Sequence, residues 1–273
     1  MKVSVLGSGS RGNSVLVVGG STRLLVDAGF SAKSLETRLG HLGILPEEID
    51  AIVVTHDHGD HTRGAGVFSR RHGTPVFLTD PTREACDGLF RGGEDLRSYR
   101  AGFPFQIGSM EVAPFLTAHD ARDPVAVALR HTETGLKLGI ATDLGRPTAQ
   151  VRLSLSACDI LVLEANHDPG LLHQGPYPPS VRARIASSHG HLSNEAAAQL
   201  AVDLLHPRLG AVVLAHLSAE CNRPALAEAV VDEALREAGY RGFLLVAEQD
   251  SPTPLMDVAK LRKNLEPDQL PLI

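Results

Sequence analysis

Within six residues, His56-Asp57-His58-Gly59-Asp60-His61, the chain places three imidazoles and two carboxylates. They follow Ala51-Ile52-Val53-Val54-Thr55, an apolar run that reads as a buried strand, so the histidines emerge where the strand ends and the backbone turns. His56 and His58, two residues apart, can point the same way. Gly59 permits a turn that brings Asp60 and His61 in behind them. Imidazole nitrogen together with carboxylate oxygen is the ligand set of zinc or a similar divalent ion. A solvated polar loop gives no reason for this spacing.

The same placement recurs along the chain. Asp27 follows Leu24-Leu25-Val26, and His119 follows the run from Val112 to Thr117. Asp143 follows Leu138 to Thr142, Glu164 follows Ile160 to Leu163, and His216 follows Val212 to Ala215. In a layered α/β protein such strand ends converge on one edge, where a site rests on rigid supports. The inventory divides chemically. His56, His58 and His119 make a three-imidazole site with an open position; Asp60, His61 and His216 make a harder one. Asp143 can offer one oxygen to each. Two divalent ions so held would activate a shared water and clamp the attacking and leaving oxygens, and their charge suits an anionic substrate. Zinc fits these ligands, and the mixed His/Asp site also takes manganese. Asp27 reads as a group that orients a ligand from behind.

The supporting elements read as short strands punctuated by glycine in the first half: Val3 to Leu6, Val15 to Val18 and Arg23 to Val26. A helix over Ala32 to Leu39 comes next, and one around Gly64 to His72 follows the histidine cluster. Val76 to Leu78 reads as a strand and Pro81 to Phe90 as a helix. Later strands are Val112 to Thr117, Val125 to Arg130, Lys137 to Thr142, Ile160 to Leu163, Ala211 to Ala215 and Phe243 to Val246. Helices are expected over Asn194 to Leu205, with Ser193 as N-cap, and over Ala225 to Ala238. The Gly/Pro-rich stretch from Asp168 to Pro179 reads as a surface loop. Residues 1–254 form one catalytic domain on this reading, and 255–273 a tail with a short helix over Met256 to Leu265 and then Pro-rich coil.

Composition narrows the class. The chain has 273 residues, 43% hydrophobic and 21% charged, as in an ordinary globular protein. No apolar stretch is long enough to span a bilayer, and Gly7 interrupts the N-terminal run too early for a signal peptide. Cys86, Cys158 and Cys221 form no CxxC pair and read as reduced thiols of a cytoplasmic protein. A net charge of −6 does not mark a general nucleic-acid binder, so any phosphate-binding face must be local. Gly7-Ser8-Gly9-Ser10-Arg11-Gly12 matches GxGxxG literally, but Val15 to Val18 behind it is strand-like, and a dinucleotide site needs a helix there. Ser10, Asn13 and Ser14 of this loop could still donate to an anion.

HxHxDH, followed by His119, Asp143 and His216 after strands and preceded by Leu25-Val26-Asp27-Ala28-Gly29, resembles the metallo-β-lactamase-fold superfamily from Met1 to about Glu248. The resemblance implies an α/β fold, a four-layer αββα sandwich of two mixed β-sheets flanked by helices, with hydrolysis as its reaction. His58 in place of Glu disfavours the flavodiiron branch. Gly7 to Ser14, Glu164-Ala165-Asn166-His167-Asp168, Gly190-His191-Leu192-Ser193-Asn194 and Ala215-His216-Leu217-Ser218, with Asn222 beyond, are similar to the bacterial YycJ/WalJ-like group. Glu164-Ala165 and His191-Leu192-Ser193 also resemble ribonuclease Z motifs, although Leu163 stands where that family has histidine. The resemblance implies a nuclease, and in the YycJ/WalJ-like group an exonuclease that digests DNA from the 5′ end, with a place in DNA repair. DNA is favoured over RNA as the partner.

The residues fit phosphodiester cleavage independently. The leaving alkoxide needs a proton; His191 is a candidate general acid, and Glu164 can hold its ring. Asp60, His191, Glu164 and Asp27 thus form the expected catalytic set. Ser10, Asn13, Ser14, His167, Arg182, Arg184, Ser218 and Asn222 are candidate substrate contacts, with Arg182 and Arg184 acting as a clamp in the segment from Asp168 to Ser187. His41, His72, His131, His173 and His206 read as solvated. The interval from Asp143 to His216 is too short for a β-CASP cap or for the long arm of ribonuclease Z. Two other classes compete: a hydrolase of a carbon-centred substrate (thioester, lactone or β-lactam), which needs an acyl pocket, and a non-catalytic scaffold, which has no use for seven intact ligands.

Overall fold

Strands that are apolar on both faces need a covering layer on each side. In the computed structural model, which describes residues 1–263 and 265, the first sheet is built from β1 (Lys2–Gly7), β2 (Ser14–Gly19), β3 (Thr22–Val26), β4 (Ala51–Val53), β5 (Val76–Leu78) and β6 (Leu96–Ser98). β1, β2 and β3 are antiparallel neighbours, whereas β3 to β6 run parallel. The second sheet contains β7 (Phe105–Ile107), β8 (Met110–Leu116), β9 (Val125–His131), β10 (Lys137–Ala141), β11 (Ile160–Glu164), β12 (Ala211–Ala215) and β13 (Phe243–Val246). It repeats the arrangement: β7 to β10 are antiparallel neighbours and β10 to β13 are parallel. β14 (Met256–Asp257) closes the first sheet against the free edge of β1.

Period-two alternation sorts the side chains into three apolar layers. Val3, Val5, Val17, Leu24, Val26 and Val53 face Val112, Val127, Leu129, Ile140, Val162 and Val213 between the sheets. The residues between them turn outward. Leu6, Leu16, Leu25 and Ile52 are covered by Leu35 and Leu39 of α1 (Ala32–His41) and by Phe68, which lies beyond the single turn α2 (Gly59–Thr62) on α3 (Ala65–His72). α4 (Asp80–Ala85) follows β5. On the far side, Leu161, Leu163, Val212 and Leu214 meet Val151 and Leu155 of α5 (Ala149–Leu155). α6 (Pro169–Gln174) and α7 (Pro179–Ile185) come between β11 and α8 (Asn194–Asp203), and α8 and α9 (Pro224–Glu237) complete that outer layer. The result is the expected αββα sandwich, and burying each of these large aliphatic side chains contributes about 1.5–3 kcal/mol.

Several local expectations need correction. The segment expected as a tail packs onto the fold: Met256 pairs with Val3, Met256 and Val258 join the core, and α10 (Val258–Lys263) stands within the helix expected over Met256 to Leu265. The remainder of that tail, 264 and 266–273, lies outside the described residues. The stretch from Asp168 to Pro179 holds a helix, because Asp168 caps it (its Oδ1 accepts from Leu171 N at 2.8 Å) and Pro169 occupies the first turn. α5 was not anticipated; its N-cap Thr148 was the available signal. α4 stops at Ala85, well before Phe90. His131 is buried, its Nδ1 2.8 Å from Thr134 Oγ1, and is not solvated.

Met256 is 7% exposed in the layer between the sheets. Met256→Ala should therefore destabilise the fold by about 2–5 kcal/mol. Urea denaturation with an unchanged slope would show it; a truly loose tail would give no change.

Candidate metal centre and active-site groove

All five parallel-strand termini that carry chemistry lie on one edge. β3, β4, β10, β11 and β12 deliver Asp27, His56, Asp143, Glu164 and His216, and β8, which runs in the direction of β10, delivers His119. Asp27, Asp143 and His216 have φ of 63°, 56° and 55°, the left-handed region that side chains usually avoid. The chain turns abruptly there and throws each side chain towards the same point. Packing between loops is tight enough to demand Gly29, since a Cβ there would lie 1.6 Å from the Asp60 carbonyl oxygen.

The donors fall into clusters. Ligand atoms of His56, His58, His119 and Asp143 lie within 4.8 Å of one another, as do those of Asp60, His61 and His216, and those of Asp143, Glu164, His191 and His216. Asp143 touches both of the first two: Oδ1 is 3.6 Å from His119 Nε2, and Oδ2 is 3.0 Å from His61 Nε2. Two observations fit a cation. His56 Nε2 and Asp143 Oδ2 are buried without a hydrogen-bond partner, and His119 Nε2 faces His58 Nδ1 at 3.3 Å. These clusters are able to hold metal ions.

Hydrogen bonds behind the ligands assign the protons. His61 Nδ1 donates to Asp27 Oδ2 at 2.7 Å, His119 Nδ1 donates to the Gly190 carbonyl at 3.0 Å, and His216 Nδ1 donates to Glu164 Oε1 at 2.8 Å. Thr55 Oγ1 donates to Asp27 Oδ2 at 2.9 Å, so His56 Nδ1 donates to that hydroxyl at 3.0 Å. Each ring is left with a bare Nε2. Asp27 is thus a positioning residue with both oxygens occupied, since Oδ1 accepts from Thr55 N at 2.8 Å.

Glu164 is wholly buried, and its two oxygens accept from four donors: His191 Nδ1 and His216 Nδ1 on Oε1, both at 2.8 Å, and Leu144 N and Leu192 N on Oε2. Burial alone would raise its pKa, but the charges and hydrogen bonds of His191 and His216 bring it down to about 2. The Asp143 carboxyl is likewise held well below its usual range: burial pushes it up, and His216 and His61 outweigh that. Burial drives His56 and His119 downward, favouring neutral rings at those two positions, whereas at His61 and His216 the neighbouring carboxylates, Asp143 first, outweigh burial and raise the rings. Burial also pulls His191 down, but the neighbouring Glu164 carboxylate wins and raises it above the ordinary value.

A groove of about 310 Å³ opens over these donors, and Ser10, Ser218, Asn166, Tyr177 and Arg184 are among its lining residues. The other proposed contacts lie elsewhere. Asn13 is buried, accepting from Ser8 Oγ and Gly9 N and donating to Asp60 Oδ2 at 3.2 Å. Ser14 donates to the Asp27 carbonyl, and Asn222 exchanges hydrogen bonds with Asn194. These three brace the site from behind and do not line the groove. Arg182 and Arg184 do not form one clamp, because two residues along a helix face different ways. Arg184 overlooks the groove, 3.9 Å from Asp120, whereas Arg182 and His167 line a separate cavity. Sequence reasoning missed Tyr177, Asp120 and the Ser8 hydroxyl beneath His216 N. It also missed that Glu164 serves two histidines; the pairing of Glu164 with Ala215 on adjacent parallel strands sets it beside His216.

Residues 22–216 match the beta-lactamase superfamily domain, and the chain belongs to that superfamily, with the metallo-β-lactamase fold described above. More particularly, it is 34% identical over 239 residues to exodeoxyribonuclease YycJ of Bacillus anthracis, covering 87% of this chain and 90% of the relative. It is 32% identical over 265 residues to exodeoxyribonuclease WalJ of Streptococcus pneumoniae serotype 2, covering 94% and 98%. Among solved structures the short form of human tRNase Z superimposes with a TM-score of 0.65 at 16% identity, over 94% of this chain and all (100%) of that one. Among the described residues, no helix is long and apolar enough to cross a membrane.

Because Asp27 fixes His61 and the strand end at Thr55 together, Asp27→Ala should weaken metal binding about 10–100-fold. Competition with a chromogenic chelator measures this directly, and an unchanged affinity would assign Asp27 a purely structural part.

Proposed function

We propose that this chain is a dinuclear metal-dependent phosphodiesterase that acts as a DNA exonuclease in the 5′ to 3′ direction, with a role in DNA repair, in the cytoplasm. The observation that carries the reading is the His191–Glu164 pair standing beside two donor clusters that share Asp143. The names of the YycJ and WalJ relatives support DNA over RNA as substrate, and the three free buried cysteines fit a reducing compartment. The catalytic unit runs at least through Lys263, since β14 and α10 belong to the fold.

His56, His58 and His119 would hold one ion, and Asp60, His61 and His216 the other, with Asp143 between them. Zinc or manganese bound there supplies an activated water and stabilises charge on the phosphate oxygens. The protein does the rest. Glu164 keeps the His191 Nδ1 proton, so Nε2 faces the leaving oxygen as the proton donor. The same carboxylate fixes His216, coupling the proton donor to the second ligand set through one oxygen atom. Arg184 and Tyr177 offer the strand a cation and a flat ring at the groove wall.

The test is digestion of end-labelled single- and double-stranded DNA by chelated enzyme with each ion restored, alongside a glutathione thioester. Activity on DNA with two equivalents of metal supports the reading; thioester hydrolysis alone would replace it. Removing the metal should abolish cleavage, and zinc or manganese should restore it. His191→Ala should lower the rate on DNA about 10²–10⁴-fold, but far less on a p-nitrophenyl phosphodiester, whose leaving group needs no proton. Since His191 is raised and acts protonated, activity should fall as pH climbs through its pKa, and that alkaline limb should vanish in the variant. Arg184→Ala should weaken DNA binding and reduce the salt slope by about 1.

A further inference from the structure

Each set of donors is assembled from both sheets. His56 and His58 follow β4 of the first sheet, whereas His119 follows β8 of the second. Asp60 and His61 belong to α2, next along the chain from β4, and His216 follows β12 of the second sheet. The apolar layer between the sheets fixes the strands, but the donors stand beyond the strand ends. An ion bound across two such segments needs them at one separation, so whatever sets that separation beforehand adds to its affinity.

The two sets are braced by different side chains. At the Asp60, His61 and His216 set, the Ser8 hydroxyl accepts from His216 N and donates to Asn13 Oδ1, both at 2.8 Å. Asn13 N then donates to the Asp60 carbonyl, also at 2.8 Å. Among the described residues, neither Ser8 nor Asn13 hydrogen-bonds to His56, His58 or His119. At the three-imidazole set the brace is Asp57, which sits between two of the ligands in sequence. Its Oδ1 accepts at 2.9 Å from Arg122 N, three residues beyond His119. A backbone bond runs beside it, from Val125 N to the Thr55 carbonyl at 3.1 Å. The far side of the His119 loop is held separately: His119 Nδ1 and Asp120 N donate to the carbonyls of Gly190 and His189, each at 3.0 Å. Asp57 itself belongs to none of the donor clusters among the described residues. Its carboxyl group joins the two loops whose rings meet with His58 Nδ1 and His119 Nε2 3.3 Å apart.

We infer that Asp57 is a positioning residue for one ion only. It clamps the His56–His58 loop to the His119 loop and so sets the opening of the three-imidazole site, while Ser8 and Asn13 set that of Asp60, His61 and His216. The inference rests on the two-ion reading and deepens it, because the two affinities become separately adjustable although Asp143 is shared.

The test is stepwise binding of zinc, with manganese in parallel, to the metal-stripped whole chain in competition with a chromogenic chelator. Asp57→Ala should weaken one of two equivalents about 10–100-fold and leave the other within about twofold. Asp57→Asn keeps an acceptor oxygen for Arg122 N and should restore most of the lost affinity. Two backgrounds assign the affected site. With His216→Ala, which spares the three imidazoles, Asp57→Ala should still weaken the remaining ion; with His58→Ala it should change nothing. The equivalent left unmoved in Asp57→Ala reports that the variant is folded. Three results would each overturn the clamp while leaving the two-ion centre standing: both equivalents unchanged in Asp57→Ala, an equal loss at both, or Asp57→Asn as weak as Asp57→Ala. Fewer than two equivalents of either ion in the unmodified protein would overturn both.

Discussion

Three side chains of the metal centre, or immediately behind it, sit on backbone that only glycine adopts freely. Asp27, Asp143 and His216 each end a strand in the left-handed region, a conformation that costs on the order of 1–3 kcal/mol per residue. Such a conformation persists only when its surroundings leave no alternative. Here the surroundings are three apolar layers and two sheets whose parallel strands all terminate on one side. The sandwich is the rigid body against which the strain is held. The return is convergence, because a strand that simply continued would carry its next side chain past the site.

Convergence of this kind sets an electrostatic problem that hydrogen bonds solve only in part. Asp143 and Glu164 are both buried and both kept ionised by histidines. Glu164 meets its whole demand within the protein, through four donors. Asp143 Oδ2 and His56 Nε2 do not. The division separates two kinds of carboxylate: one whose oxygens the protein satisfies, and one with an oxygen left over, within a cluster able to bind a metal ion.

Much of this was legible in the chain because strand ends are legible. Apolar runs ending at a polar side chain marked Asp27, His56, His119, Asp143, Glu164 and His216, which the structure brings together, and the strand behind Gly7 to Gly12 ruled out a dinucleotide loop. What the sequence hid was direction. Nothing in the order of residues says that Asn13, Ser14 and Asn222 point back into the scaffold, since a polar side chain in a loop can face either way. Arg182 and Arg184 looked equivalent until a helix separated them. Met256 and Val258 looked dispensable because their partner strand, β1, lies some 250 residues away in sequence, and a two-residue strand has too little pattern to announce itself.

That distant pairing bears on when the molecule becomes competent during synthesis. The stretch from Glu248 to Thr253 props the glycine loop: Glu248 O accepts from Ser8 N, Gln249 binds Arg11 N and Gly12 O through its side chain, and Thr253 accepts from Val5 N. The same loop carries the Ser8 hydroxyl under His216 and the Asn13 amide against Asp60. A nascent chain emerging in order presents all of these ligands, from His56 to His216, before their brace. Assembly of the centre thereby waits for the segment from Glu248 to Thr253, so a chain cut short of it would carry the ligands without the frame that aims them.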